Sequence, residues 1–167
     1  MATKKGIMLT VIIIGSFVAA SFLIYLIPEE PQSTIITFGD PREELEFAID
    51  RTSVVIDGFQ EVFVLWKNGE VYKNTYDSTA NVTIDQLNMM IIELKGKPIP
   101  NEWNQSYVLF IQSLENYKEY IEKTKEYVNY KSVNQNDPKK ESVYLDTMSK
   151  TFDRALGLMQ ESINVMP

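Results

Sequence analysis

The side chains with which this chain could do chemistry are carboxylates, hydroxyls and amines, because its 167 residues include neither Cys nor His. Without those two residue types there can be no Ser-His-Asp triad, no Cys nucleophile, no His or Cys zinc site and no disulfide. The sequence also has no Gly-Lys-Ser/Thr triplet of the kind that cradles phosphate. We therefore expect a protein that is not an enzyme, with no catalytic residues, no cofactor and no metal.

Carboxylates are numerous, since 23 residues are Asp or Glu. Helical bundles that hold two irons combine inward-facing Glu with Glu-x-x-His pairs. The acidic residues here fall on outward positions of the predicted helices, where they are expected to be solvated. The net charge of -7 also disfavours nucleic acid, because phosphate binding needs clustered Lys and Arg.

Three tyrosines form a candidate partner-binding ridge. Tyr120 and Tyr127 are seven residues apart beside the apolar stripe of a predicted helix, and Tyr130 is nearby. A tyrosine suits an interface because its ring buries area while its hydroxyl stays hydrated. The alternative, which we favour, is that these rings seal the edge of the core against the second or fourth helix.

Two triplets match the N-glycosylation pattern, Asn81-Val82-Thr83 and Asn104-Gln105-Ser106. Asn81 is predicted to lie in a loop, which makes it the better acceptor candidate. Asn104 falls in the opening turn of a predicted helix.

The location of the chain in the cell is indicated by an apolar, uncharged run over residues 7–27. At about 1.5 Å per residue its 21 residues form a helix ~31 Å long, which matches the ~30 Å hydrocarbon core of a bilayer. Tyr25 stands where an interfacial aromatic would. Gly15 and Ala19 form a small-xxx-small pair that could let two such helices approach closely. The sequence therefore predicts a transmembrane helix.

The orientation follows from Lys4 and Lys5, which precede the run. By the positive-inside rule residues 1–6 are a cytoplasmic tail and the C-terminal domain is extracytoplasmic, in a single-pass protein of the cell membrane. A cleaved signal peptide is the alternative, since residues 19–21 are small. Cleavage there would leave the apolar residues 22–27 as a new N-terminus, so a retained anchor is favoured.

Residues 28–40 read as a linker and 41–167 as a helical domain. Asp40-Pro41 and Asp137-Pro138 each combine an N-cap acceptor with a fixed φ, and each predicts a helix start. Apolar residues then recur every three or four positions in three long stretches. These are Leu45, Ala48, Thr52, Val55, Phe59, Val62 and Trp66; then Trp103, Tyr107, Phe110, Leu114, Tyr117, Ile121, Thr124 and Val128; and finally Leu145, Met148, Phe152, Ala155, Met159 and Ile163.

The segment between the first and second helices is ambiguous. Asn68-Gly69 between apolar runs is a hairpin signal, but the helical stripe before Trp66 favours a helix that ends near Asn68. Residues 69–82 are then expected to be irregular. Thr83 with Gln86 resembles a capping box, which predicts a second helix of only ~13 residues.

Together these patterns predict an all-α chain, with an N-terminal transmembrane helix followed by an up-down four-helix bundle whose second helix is short. The expected function is that of a non-enzymatic, membrane-anchored interaction or accessory subunit. Its partners would be the bilayer, through residues 7–27, and another envelope or membrane protein. The alternative is an extracytoplasmic receptor domain that holds a small ligand and acts with a membrane partner.

Overall fold

A computed structural model describes residues 40–133 and 137–167, and these residues are almost entirely helical. Helix α1 spans Pro41–Lys67, α2 Lys73–Lys95, α3 Asn104–Ser132 and α4 Pro138–Asn164, with one 3-10 turn at Asn101–Trp103. These two ranges contain no strand, and the prediction of an all-α bundle is confirmed for them. Of the described helices none is long and apolar enough to cross a bilayer. The predicted transmembrane helix at 7–27 and the linker up to residue 39 lie outside the described residues.

The two Asp-Pro helix starts are confirmed. Asp40 has an extended backbone, and its carboxylate accepts a hydrogen bond of 2.9 Å from the amide of Arg42. Asp137 likewise accepts from the amide of Lys139 at 3.0 Å. Each carboxylate thus satisfies an amide that has no partner within the helix.

Helix α2 is longer than the sequence predicted. It begins at Lys73 and has 23 residues, so the prediction of a short second helix is wrong. Thr83 is not a cap but lies in mid-helix, where its hydroxyl donates to the carbonyl of Thr79 at 2.9 Å. The buried residues Tyr76 and Ala80 extend the apolar stripe of α2 towards its N-terminus.

The Asn68-Gly69 pair joins two helices and does not form a β-hairpin. Gly69 has a φ of +75°, a conformation that glycine adopts without steric cost. Its amide donates to the carbonyl of Trp66 at 2.9 Å, and the amide of Glu70 donates to Leu65 at 2.9 Å. The helix end near Asn68 is confirmed, but the irregular stretch is only residues 69–72 and does not reach residue 82.

Consecutive helices are antiparallel neighbours. The first half of α1 meets the end of α2, as in the ion pair of Arg51 with Glu93 at 3.6 Å. The end of α2 meets the first half of α3, where Lys95 pairs with Glu115 at 3.0 Å. The described helices therefore run up and down in sequence order, as an up-down bundle requires.

Helices α3 and α4 pack most closely, along a line of small residues that we call the serine seam: Ser106 and Ser113 on α3, and Ala155 and Ser162 on α4. Ser113 donates to the carbonyl of Ala155 at 2.8 Å, and Ser162 donates to the carbonyl of Ser106 at 2.8 Å. A serine hydroxyl reaches a backbone carbonyl of the facing helix only when the two backbones are close. The pairs step by seven residues on each helix in opposite directions, which fixes the register of this antiparallel pair.

The core lies between all four helices and is dominated by large side chains. The buried polar side chains among the described residues are all hydroxyls, in agreement with the expectation that acidic residues point outward. Most residues of the predicted stripes are buried, but Leu145 and Ile163 lie at the exposed edge of α4. The largest fully buried side chains include Tyr76, Tyr107, Tyr117, Phe59, Phe110, Leu45, Leu87 and Met90.

Candidate docking surfaces

The predicted tyrosine ridge is part of the core. Tyr120 is 7% exposed, Tyr127 4% and Tyr130 7%. Helix α4 covers them: the ring of Phe152 lies 5.0 Å from that of Tyr120, and the ring of Tyr144 lies 5.2 Å from that of Tyr130. The interpretation of these three residues as an exposed partner-binding ridge is therefore wrong, and the alternative, that the rings seal the core, describes the structure.

An aromatic cluster fills the end of the bundle where α1 ends and α2 begins. The ring of Trp66 is 5.9 Å from Tyr76 and 6.1 Å from Tyr127, and Phe63 stacks on Trp66 at 6.1 Å. Most other pairs in the cluster are tilted or edge-to-face, the arrangements that the ring quadrupoles favour. This end of the bundle is held together by ring contacts between α1, α2 and α3.

The hydroxyls of Tyr127 and Tyr130 form hydrogen bonds within the structure. Tyr127 donates to one carboxylate oxygen of Glu141 at 2.9 Å, and Lys131 donates to the other at 3.1 Å. Lys131, together with Tyr127, lowers the pKa of Glu141, whereas burial raises the pKa of Tyr127 to about 12. Tyr130 donates to the carbonyl of Asp137 at 3.0 Å and accepts from the amide of the same residue at 2.8 Å. These bonds fix the start of α4 against the end of α3.

A second polar group ties the opposite end of the bundle. The carboxylate of Glu44 accepts from Lys97 at 2.5 Å and from the hydroxyl of Tyr107 at 3.3 Å. The same hydroxyl lies 3.2 Å from the carbonyl of Pro41. Burial, reinforced by Glu44, raises the pKa of Tyr107 well above its ordinary value. A tyrosine held neutral in this way donates hydrogen bonds and is a poor base. Through Tyr107 and Lys97 the group holds α1 to α3 and to the segment that follows α2.

The bundle interior has little room for a ligand. A cleft between α1 and α2, beside Glu44 and Met90, has a volume of about 20 Å³, which is roughly the space for one water. A second cleft, near Tyr130 and Tyr144, has a volume of about 500 Å³ and is an open depression on the surface. Residues 40–133 and 137–167 contain no group of three or more acidic side chains placed to hold a metal ion. The expected lack of a metal, cofactor and catalytic residues stays a prediction.

The two glycosylation candidates are both exposed, but in different settings. Asn81 lies within α2, where its side chain accepts from Lys125 at 3.0 Å, so its predicted position in a loop is wrong. Thr83 of the same triplet is buried. Asn104 is the first residue of α3, as predicted, and Ser106 of its triplet is buried. Modification at either position stays a prediction.

One surface with exposed apolar side chains was not singled out by the sequence reasoning. We call it the outer α1–α2 face, and its apolar members are Val54, Val82, Met89 and Ile92. Their side chains are between 53% and 73% exposed. Val54 and Met89 stand at the same level of the antiparallel pair, because the neighbouring Thr52 hydroxyl lies 3.7 Å from the sulfur of Met90. The spacing of Val82, Met89 and Ile92 by seven and three residues was the available signal, but it became readable only once residues 73–82 were known to be helical.

The comparisons with known proteins assign no relative. No family model, no curated protein and no solved structure matches this chain.

Proposed function

We propose that this chain is a non-enzymatic, single-pass membrane protein whose extracytoplasmic helical bundle binds another membrane or envelope protein. In this proposal residues 7–27 span the bilayer and Lys4 and Lys5 keep the N-terminus in the cytoplasm. The uncharged run of 21 residues supports the membrane part of the proposal.

One observation carries the binding part: the bundle interior is filled by its own rings, while large apolar side chains stand exposed on its outside. The aromatic cluster and the serine seam fill the space between the helices, so the interior provides no surface for a partner. The outer α1–α2 face, in contrast, exposes four apolar side chains on two neighbouring helices. Apolar surface grouped in this way is typical of a protein–protein contact.

The alternative function is a receptor that holds a small ligand between its helices. That function requires a pocket of about 300 Å³ or more. The cleft between α1 and α2, beside Glu44 and Met90, is smaller than this by more than tenfold, at about 20 Å³. The depression near Tyr130 and Tyr144 has about 500 Å³, but it is open to solvent and does not enclose a ligand between the helices. Binding on the outside of the bundle is the function that the packing favours.

Co-purification tests the proposal. The tagged full chain is extracted from membranes of its own cells in mild detergent, and the proteins that remain bound are identified by mass spectrometry. An unrelated tagged single-pass protein of similar abundance is the control. We expect a specific partner in near-equal amount, and a chain that always emerges alone and monomeric would contradict the proposal.

A further inference from the structure

We infer that the outer α1–α2 face is the docking site for a basic amphipathic helix of the partner protein. This inference rests on the proposed function and names both the surface and the chemistry of what binds there. It is carried by the grouping of the exposed apolar residues, by the charges around them and by the length of the surface.

The apolar residues line one side of the α1–α2 pair. Val54 lies on the exposed side of the middle of α1, at about the level of Met89 on α2. Val82 lies seven residues before Met89 and Ile92 three residues after it, so these three share a face of α2. From Val82 to Ile92 the row is ~15 Å long, which is close to three helical turns. A helix that binds in a groove presents side chains at i, i+4 and i+7 over a similar length.

Besides the ion pair of Arg51 with Glu93 at 3.6 Å, this side of α1 and α2 carries four carboxylates that have no basic partner. They are Asp50, Asp57 and Glu61 on α1 and Asp85 on α2. None of these four carboxylates forms an ion pair or a side-chain hydrogen bond with another described residue. Exposed apolar side chains interleaved with unpaired carboxylates are complementary to a helix that presents both apolar side chains and Lys or Arg on its binding face. The same charges would repel an anionic lipid surface.

The other helices do not combine these two properties. On α3 the outer carboxylates are interleaved with lysines, as in the pairs Lys123–Glu126 at 3.0 Å and Lys125–Glu122 at 3.3 Å. On α4 Lys150 pairs with Asp146 at 2.6 Å. Such pairs cancel one another's field at a short distance, so these faces offer no net charge to a basic helix.

Site-specific photo-cross-linking tests the inference. A benzophenone amino acid replaces Val54 or Met89 in the tagged full chain, which is then irradiated in its own cells. Val143 and Leu156, exposed apolar residues of α4, are the matched control positions. Mass spectrometry identifies the cross-linked peptide of the partner and hence its charge and apolar spacing.

We expect positions 54 and 89 to capture the same partner segment, with a net positive charge and apolar residues at helical spacing. Met89→Glu should lower the yield at position 54 by about tenfold, the effect of losing one central interface anchor. Leu156→Glu should leave that yield unchanged. Both substitutions replace exposed side chains, so neither is expected to unfold the bundle.

The other outcomes separate this inference from the proposed function. Capture of a partner only at positions 143 and 156 would overturn the inference and leave the proposed function standing. Adducts at 54 and 89 with an acidic segment, with lipid or with a second copy of this chain would also overturn the inference. No protein adduct at any of the four positions would contradict both.

Discussion

Replacing Tyr120 with alanine should lower the free energy of unfolding by about 3–5 kcal/mol, the usual loss when a buried aromatic side chain is truncated. The ring is 7% exposed and lies 6.0 Å from Phe59, edge-on, and 5.0 Å from Phe152. Its removal leaves a cavity between α1, α3 and α4. Each lost ring pair adds about 0.5–1.5 kcal/mol beyond the loss of buried area, and these losses are included in the 3–5 kcal/mol.

Tyr72 provides the matched control for this prediction. It is the same residue type, but its side chain is 86% exposed. Because it has little packing to lose, Tyr72→Ala should change the free energy of unfolding by less than about 0.5 kcal/mol. The pair therefore separates the effect of burial from that of the residue type.

Urea unfolding of the full chain in mild detergent measures both variants. The chain has two tryptophans, Trp66 in the aromatic cluster and Trp103 before α3, so intrinsic fluorescence reports on the bundle. Equal, small shifts for Tyr120→Ala and Tyr72→Ala would show that Tyr120 is not a core residue. The exposed-ridge interpretation of the tyrosines would then be restored.

Three further predictions follow from local geometry. Gly69→Ala should lower the free energy of unfolding by about 1 kcal/mol, because alanine is strained at a φ of +75°. Gly157→Ala, where an added methyl group meets open space within α4, should raise it by about 0.5–1 kcal/mol. Urea unfolding measures both values, and a change of the same sign in both variants would contradict the positive φ at Gly69. Burial raises the pKa of Tyr117 and Tyr127 to about 12, so stability should hold up to about pH 10 and then decline as pH rises through 12. Tyrosinate absorbance follows that titration, and ionisation of every tyrosine near pH 10 in the folded protein would contradict it. Ala155→Leu should lower the free energy of unfolding by about 1–3 kcal/mol in the same urea assay, because residue 155 is fully buried between α3 and α4. An unchanged free energy of unfolding would contradict the close packing of these two helices.

The helix starts and long apolar stripes could be predicted because local rules determine them. An Asp-Pro pair caps a helix through its own carboxylate and ring, whatever the rest of the chain does. The start of helix α2 was predicted wrongly because no such local signal marks it. Its N-cap residue, Tyr72, makes no capping hydrogen bond with its side chain, while Thr83 and Gln86 imitate a cap in mid-helix.

The environment of the tyrosines could not be decided from one sequence. Tyr120 and Tyr127 continue a seven-residue spacing that begins at Ser106 and Ser113, and both a core edge and an exposed ridge fit that spacing. The position of α4 decides between them, and this depends on a contact between residues far apart in the chain. The serine seam was missed because serine is mostly exposed in proteins, whereas Ser106 and Ser113 are fully buried here.

The outer α1–α2 face lay beyond sequence reasoning for a similar reason. Its apolar residues come from two helices, and their proximity depends on the antiparallel register that Arg51 and Glu93 help to define. Each of them alone is an ordinary exposed side chain. Only the pairing of α1 with α2 brings Val54 level with Met89.

Cysteine labelling on intact cells tests most directly whether the bundle is held outside the membrane by its N-terminal segment. The chain has no cysteine, so a single Tyr72→Cys variant provides one exposed thiol on the bundle, and Ala2→Cys provides one at the N-terminus. We expect a membrane-impermeant maleimide to label residue 72 on intact cells and residue 2 only after the membranes are opened. Labelling of residue 72 that appears only after lysis would contradict the account.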